Sequence, residues 1–454
     1  MKYKSVNPSN AELIASFSTK EKQSWKKELR HLEQGYLHYQ NVSFKLRKSY
    51  MQKLKKNLLA QRDHLAKIIS IEMGKPILEA RGEIEKCAWL CDFYANESEA
   101  ILREKSSKIK DGENIIMHNP LGIVLGIMPW NFPFWQVFRF ACPALMAGNA
   151  VLLKHAPNVP QCAIEIEKLF HQSGFTDDIF QQWFLSESDV ASIIKDKRIR
   201  AISLTGSEKA GEAVGALAGK HIKPAVMELG GSDPFIVLKD ADVENAANWG
   251  VKSRMLNTGQ SCIAAKRFII HESIYERFIE VFVKKVESLK IGEPQDPKTE
   301  IGPLARKDLL NTLDKQVQRS LVMGAKLLTG GKKLDGQGYY YTPTVLANVK
   351  SEMPVMKEEV FGPVAVFVKF KEEEEAFLIA NDTAYGLGAS IWTQDIDKAK
   401  RIAARMQCGS VFINQMVKSD PRLPFGGIKN SGYGRELSKE GLLAFVNLKT
   451  ISVA

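Results

Sequence analysis

The stretch Ile202-Ser203-Leu204-Thr205-Gly206-Ser207-Glu208-Lys209-Ala210-Gly211 reads as a strand, a tight turn and the opening of a helix. Outward from it the same texture repeats. Short β-branched or apolar runs at 122–128, 150–154, 179–185, 201–204 and 225–227 alternate with helical stretches at 160–173, 189–195 and 208–218. Alternation of this kind implies parallel strands with helices on both faces, a doubly wound sheet. Runs at 234–238, 268–270, 365–370 and 390–392, with helices at 243–257 and 274–289, imply a second α/β domain.

Upstream, residues 9–105 carry mainly helical periodicity, as in Leu54, Leu58, Leu59, Leu65, Ile68 and Ile69. Ser9 followed three residues later by Glu12 reads as a capping box. The pieces Lys108-Ile109-Lys110 through Ile115-Ile116-Met117-His118, and residues 445–453, read as strands flanking turns. Their exposed edges suit a dimer contact. The turn-rich 292–297 and glycine-rich 330–338 read as surface loops, and there is no internal repeat.

A chain of 454 residues, 44% hydrophobic and 25% charged, has room for two or three domains. Met1-Lys2-Tyr3-Lys4-Ser5-Val6-Asn7-Pro8 lacks an apolar leader and no apolar run is long enough to span a bilayer, so a cytoplasmic protein is expected. Six scattered cysteines suit reduced thiols rather than a disulfide framework. Cys87 and Cys91 stand four apart without a nearby partner pair, so a buried structural role, and no metal, is expected. The net charge of +11 is concentrated in residues 1–60, where 13 Lys and Arg against 4 Glu leave +9. These charges alternate with apolar positions as on the wet face of amphipathic helices, which argues against nucleic-acid or membrane partners.

There is no Gly-x-Gly-x-x-Gly after a strand. The Gly206-Ser207 turn could present helix N-terminal amides to a pyrophosphate, although such a turn is more often purely structural. Asn257-Thr258-Gly259-Gln260-Ser261-Cys262 sets a cysteine among small and polar residues, and Met227-Glu228-Leu229-Gly230-Gly231, about thirty residues upstream, supplies a carboxylate. Together they suggest a thiol nucleophile with a carboxylate base.

The Glu-Leu-Gly-Gly and Gly-Gln-x-Cys elements, in this order and at this spacing, resemble those of the aldehyde dehydrogenase superfamily. The resemblance runs nearly the whole length and is nearest to the short bacterial-type succinate-semialdehyde dehydrogenases. It implies an α/β fold of two doubly wound domains with a small β oligomerisation arm: a dinucleotide-binding domain from 1–107 and 121–228, a catalytic domain at 229–430, and the arm from 108–120 and 431–454, in a homodimer or homotetramer. It also implies that Cys262 is the nucleophile, that Glu228 activates the deacylating water, and that Asn131, in Pro129-Trp130-Asn131-Phe132, joins the Cys262 N–H in the oxyanion hole. For the cofactor it points to Gly206 and Ser207 at the pyrophosphate, Lys154 at the adenosine ribose, Glu359 at the nicotinamide ribose and Phe361 near the nicotinamide, with Trp130 and Leu229 beside them. NAD-preferring relatives commonly carry a Glu where this chain has Pro157, so NADP is favoured over NAD. Ala264 stands where relatives often have a second cysteine, which argues against a local redox pair.

Arg139 resembles the arginine that succinate-semialdehyde dehydrogenases set against the substrate's distal carboxylate; the alternative is an internal ion pair with Asp or Glu. Lys418-Ser419-Asp420-Pro421-Arg422 resembles that branch's anchor loop, so Ser419 would touch the carboxylate and Trp135 would wall the pocket. Some of these enzymes have another arginine where this chain has Leu256, which leaves room for less polar aldehydes. The expected reaction is NAD(P)-dependent oxidation of succinic semialdehyde to succinate through a cysteine thiohemiacetal and thioester. The alternatives are a general aliphatic or aromatic aldehyde dehydrogenase and, from another class, a non-catalytic oligomeric binding protein with a basic N-terminal surface.

Overall fold

The computed structural model of the protein describes residues 2–109 and 112–453. Lys110, within the first strand expected of the arm, lies outside the described residues. A six-stranded sheet runs from edge to edge as Gly432–Tyr433, Ala225–Glu228, Ile199–Thr205, Ile123–Ile127, Ala150–Lys154 and Phe180–Gln182. Only Gly432–Tyr433 is antiparallel to its neighbour. The chain enters at Ile123–Ile127 in the middle and winds outward both ways, leaving a switch point beside Ile199–Thr205. Crevices outside the carboxyl ends of strands at such points are where open α/β sheets bind ligands. Val124, Leu125, Val151 and Leu152 are fully buried, as strands covered by helices on both faces must be.

A seven-stranded sheet follows, in the order Lys326–Thr329, Thr344–Ala347, Val364–Phe370, Ala265–His271, Asp233–Val237, Gly388–Trp392 and Ser410–Ile413, parallel except at its first strand. On one face Phe268 packs against Phe235, Phe282 and Phe367 with ring centroids 4.9–5.1 Å apart. A three-stranded antiparallel sheet joins Val446–Val453, Gly112–Pro120 and Lys105–Ile109. Val446–Val453 leaves Leu448 65% exposed. Gly432–Tyr433, just upstream, belongs instead to the six-stranded sheet.

The amino-terminal expectation needs correction. Ser9 and Glu12 open no helix; Lys2–Asn7 and Glu12–Ser18 form an antiparallel hairpin, and helix begins only at Lys22–Tyr39. Asn7-Pro8-Ser9-Asn10 is turn chemistry, with the Ser9 N–H donating to Asn7 Oδ1 at 3.0 Å. Tertiary docking holds the hairpin: the Tyr3 hydroxyl donates to the Leu185 carbonyl at 2.9 Å, and the Lys4 N–H to that of Pro157 at 3.0 Å. The two basic helices are amphipathic as read, burying Trp25, Leu29 and Leu32 from one and Met51, Leu54 and Leu58 from the other. Cys87 and Cys91 are buried in the first core. Among the described residues no helix is long and apolar enough to cross a membrane.

Phe268→Ala is expected to lower stability by about 3–5 kcal/mol, the range for truncating a buried aromatic. Urea unfolding followed by fluorescence checks it; a midpoint unchanged from wild type would mean the aromatic stack is not a principal support of the second sheet.

Candidate active site

Cys262 sits in the loop between the helix Val243–Met255 and the strand Ala265–His271. Before it, Asn257, Thr258 and Gly259 all take positive φ, of 56°, 56° and 71°. Asparagine tolerates this region, but a β-branched threonine there is an outlier, and such strain costs about 1–3 kcal/mol per residue. At Gly259 a Cβ would also come 2.3 Å from the Gly362 carbonyl oxygen. The surroundings hold the turn in this shape. The Asn257 N–H donates to Glu79 Oε2 at 2.7 Å, and its side-chain amide donates to the carbonyls of Asn131 (2.8 Å) and Gln260 (3.0 Å). Gln260 Oε1 accepts from the Ala305 N–H at 2.9 Å. Arg254, fully buried, donates to the Gly259 carbonyl at 2.8 Å and to that of Gly362.

Beneath the loop, Lys266 Nζ donates to the carbonyls of Ser261, Cys262 and Ala264 at 3.1, 2.8 and 3.3 Å. The Gly230-Gly231 pair lets the neighbouring chain close against it: a Cβ on Gly231 would lie 2.5 Å from the Cys262 carbonyl oxygen. Burial pushes the Cys262 thiol up to about 12, while Arg139 and Lys266 pull it down. The half-buried thiol lines a cavity of about 250 Å³ together with Trp135, Arg139, Ser419, Lys86 and Phe425.

Asn131 is buried and its Nδ2 donates to the Gln260 carbonyl at 3.1 Å, which fixes the amide against the Cys262 loop. Glu228 closes the strand Ala225–Glu228 and is 2% exposed, with neither carboxyl oxygen hydrogen-bonded among the described residues. Burial first, then the negative charge of Glu436, raises it well above the ordinary 4.5, against the pull of Arg139 and Arg435. Burial therefore disfavours the charged form of Glu228, the form that could act as a base. Gly426 makes its room: a Cβ there would lie 2.7 Å from Glu228 Oε1.

Arg139 has the internal partner that the sequence left open. Its Nη2 pairs with Glu436 Oε2 at 2.6 Å, both side chains almost wholly buried, and its guanidinium stacks 4.7 Å from the Phe425 ring centroid. Trp135 lies in the same helix, Trp135–Met146. The first turn of that helix is fixed by Glu83, whose Oε1 accepts from the N–H groups of Phe134 (2.9 Å) and Trp135 (3.0 Å) and whose other oxygen pairs with Lys75.

The remaining residues gather where the carboxyl ends of the first sheet meet loops leading into the second. Trp130 follows Ile123–Ile127, Lys154 ends Ala150–Lys154, and Gly206-Ser207 follows Ile199–Thr205. Ser207 caps the helix Glu208–Lys220, its hydroxyl accepting from the Ala210 N–H at 3.3 Å. Trp130 meets Phe361 edge to face at 5.6 Å, Glu359 Oε1 accepts from the Gly231 N–H at 2.9 Å, and Leu229 packs on Gly211. Sequence reasoning missed Glu79, Lys86, Lys266 and Glu436. The signal for the first two was there: Glu79, Glu83 and Lys86, spaced i, i+4 and i+7, share one face of the helix Ile77–Leu102.

The model of the Aldehyde dehydrogenase family matches residues 1–451. The chain is 46% identical over 448 residues to an Escherichia coli succinate semialdehyde dehydrogenase named for NAD(P)+, covering 98% of this chain and 97% of that one. It is 43% identical over 452 residues to an NADP(+) succinate-semialdehyde dehydrogenase of Mycobacterium tuberculosis, covering 99% of each. Among solved structures, that of Gox0499 superposes with a TM-score of 0.99 at 42% identity over the full length of both chains. The Streptococcus pyogenes succinic semialdehyde dehydrogenase in complex with NADP+ superposes at 0.97 with 36% identity, covering 99% of each.

Because burial raises the Cys262 thiol, its reaction with iodoacetamide in the ligand-free protein should climb about tenfold per pH unit from neutrality to pH 9 without levelling off. Mass spectrometry of the modified peptide checks this; a plateau near neutrality would mean a thiolate already stabilised in the resting site.

Proposed function

The chain belongs to the aldehyde dehydrogenase family, and on that premise we propose that it oxidises succinic semialdehyde to succinate with NADP in preference to NAD. The observation that carries this reading is the cavity: one wall holds the Cys262 thiol, and its lining includes the cations Arg139, Lys86 and the exposed Lys418, with the Ser419 hydroxyl, while the carboxylates lining it are Glu79 and Glu83. A small aldehyde with a carboxylate at its far end matches that arrangement. The full-length relatives named for the same reaction support it.

The Cys262 thiolate adds to the carbonyl carbon, the new C–S bond displacing an electron pair onto oxygen, where the Asn131 amide and the Cys262 N–H meet the developing charge. NAD(P), when bound, supplies the two-electron acceptor that turns the thiohemiacetal into a thioester. Glu228, once deprotonated, takes a proton from water; the resulting hydroxide attacks the thioester, the C–S bond breaks, and succinate leaves with the thiolate restored.

The residues present fit the dinucleotide. The Gly206-Ser207 turn heads a 13-residue helix, Lys154 stands at a strand end, and both amide atoms of Asn158 are buried without a partner among the described residues. Pro157 offers no carboxylate to repel a 2′-phosphate, which favours NADP. Trp130, Leu229, Glu359 and Phe361 would hold the nicotinamide end. We assign residues 1–107 and 121–228 to dinucleotide binding, 229–430 to catalysis, and 108–120 with 431–454, which carry the strands Gly112–Pro120 and Val446–Val453 of the three-stranded sheet, to assembly of a homodimer or homotetramer; the exposed apolar residues of Val446–Val453 suit that role. A cytoplasmic location suits a chain whose six cysteines are all unpaired.

Initial rates with succinic semialdehyde and with hexanal, each with NADP and with NAD, and with Cys262→Ala as the blank, test the reading. At least tenfold higher kcat/KM for succinic semialdehyde with NADP is expected; a preference for hexanal would keep the dehydrogenase and discard the substrate. The rate of thioester hydrolysis should rise with pH through an apparent pKa well above 4.5, because the base form of Glu228 exists only above its raised pKa. Glu228→Gln should remove that rise; its persistence in the variant would assign the base elsewhere.

A further inference from the structure

Lys266 stands second in the strand Ala265–His271, four residues after Cys262, and is 1% exposed. Its Nζ donates to the carbonyls of Ser261 at 3.1 Å, Cys262 at 2.8 Å and Ala264 at 3.3 Å. A neutral amine has only two N–H groups, so three donated bonds call for the ammonium form. Among the described residues no carboxylate stands at ion-pair distance from that nitrogen. A full positive charge, withdrawn from water, is therefore directed onto the peptide oxygens around Cys262.

The Ser261 carbonyl and the Cys262 N–H belong to one planar peptide unit. A cation on the oxygen draws electron density from the nitrogen through the amide resonance, which makes the N–H a stronger donor, and hydrogen bonds in series polarise one another in the same sense. That N–H is the one set against the developing oxyanion in the reading above. The strand carrying Lys266 lies between Asp233–Val237 and Val364–Phe370, inside the seven-stranded sheet, so the ammonium keeps its place whatever aldehyde enters.

The charges facing this space come from several elements. Burial first raises the Cys262 thiol; Arg139 and then Lys266 favour its thiolate, while Glu359 and Glu228 oppose it. Lys266 is itself lowered first by burial, with Glu359 opposing, Arg254 adding to the fall, and Asp233 and Cys262 opposing.

We propose that Lys266 is a positioning residue of the reaction: its ammonium polarises the Ser261–Cys262 peptide so that the Cys262 N–H binds the oxyanion more strongly, and its charge favours the Cys262 thiolate. This rests on the reading of Cys262 as nucleophile and deepens it. Because an oxyanion forms both when the thiolate adds to the aldehyde and when hydroxide adds to the thioester, Lys266 assists both steps and does so alike for every aldehyde.

The test compares Lys266→Gln, which keeps a neutral donor, and Lys266→Arg, which keeps the charge, with wild type and with Cys262→Ala. The readouts are kcat and KM for succinic semialdehyde and for hexanal with NADP, the rate of Cys262 alkylation by iodoacetamide in the ligand-free protein across pH 7–9, and the urea midpoint as a check on folding. Lys266→Gln should lower kcat for both aldehydes about tenfold or more, short of the hundred- to thousandfold lost when an oxyanion-hole donor is removed outright, and leave each KM within about threefold. It should also slow alkylation at pH 8 about three- to tenfold, as a thiol pKa about one unit higher would. Lys266→Arg should retain more of both than Lys266→Gln. A lower urea midpoint with kcat and alkylation unchanged in the folded protein would make Lys266 a structural tie only and overturn the proposal, as would a loss in Lys266→Arg equal to that in Lys266→Gln. In either case an inactive Cys262→Ala leaves the nucleophile reading standing; if Cys262→Ala turns over like wild type, both fall together.

Discussion

The left-handed turn at Asn257, Thr258 and Gly259 is the constraint on which the site depends. Three consecutive residues with positive φ are unfavourable in isolation, and a free chain would relax them. They persist because the fold over-determines the turn. Glu79 takes the Asn257 N–H, Asn257 reaches the Asn131 carbonyl, and Arg254 ties Gly259 to the loop that precedes the strand Val364–Phe370. Each tie comes from a different part of the chain, so the Cys262 loop is also where the two large sheets are joined. Lys266, collecting three carbonyls beneath Cys262, closes the loop from below.

Buried charge is the second organising feature. Glu228, Glu436 and Arg139 form one cluster in which two carboxylates compete for a single guanidinium. The ion pair goes to Glu436, at 2.6 Å, and Glu228 is left without a hydrogen bond among the described residues, its charged form disfavoured by burial. A carboxyl group whose pKa is raised by burial beside a like charge binds a proton at a higher pH than an exposed glutamate does.

Much of this was legible in the sequence. The strand-helix alternation from 122 to 392 marked most of the parallel strands, because strands buried on both faces read as unbroken apolar runs. The short strands Lys326–Thr329, Thr344–Ala347 and Ser410–Ile413 carry four residues each, too few for a period to show. The hairpin Lys2–Asn7 with Glu12–Ser18 escaped because its order comes from docking on Pro157 and Leu185, contacts more than a hundred residues away in sequence. Cys262, Glu228 and Asn131 were marked by their motifs. Lys266 and Glu436 carry no local signature: a lone charged residue looks solvated until the fold buries it. Arg139 illustrates the same limit, since its surroundings called for an anion but could not say whether protein or substrate provides it.

The central claim is that Cys262 carries the acyl group and Glu228 releases it. The most direct measurement mixes Glu228→Gln protein with succinic semialdehyde and NADP, quenches in acid, and maps the adduct by mass spectrometry. The account expects a near-stoichiometric acyl group on the Cys262 peptide, with one reduced cofactor formed per site and little further turnover. Continued turnover without an adduct, or an acyl group on another residue, would contradict it.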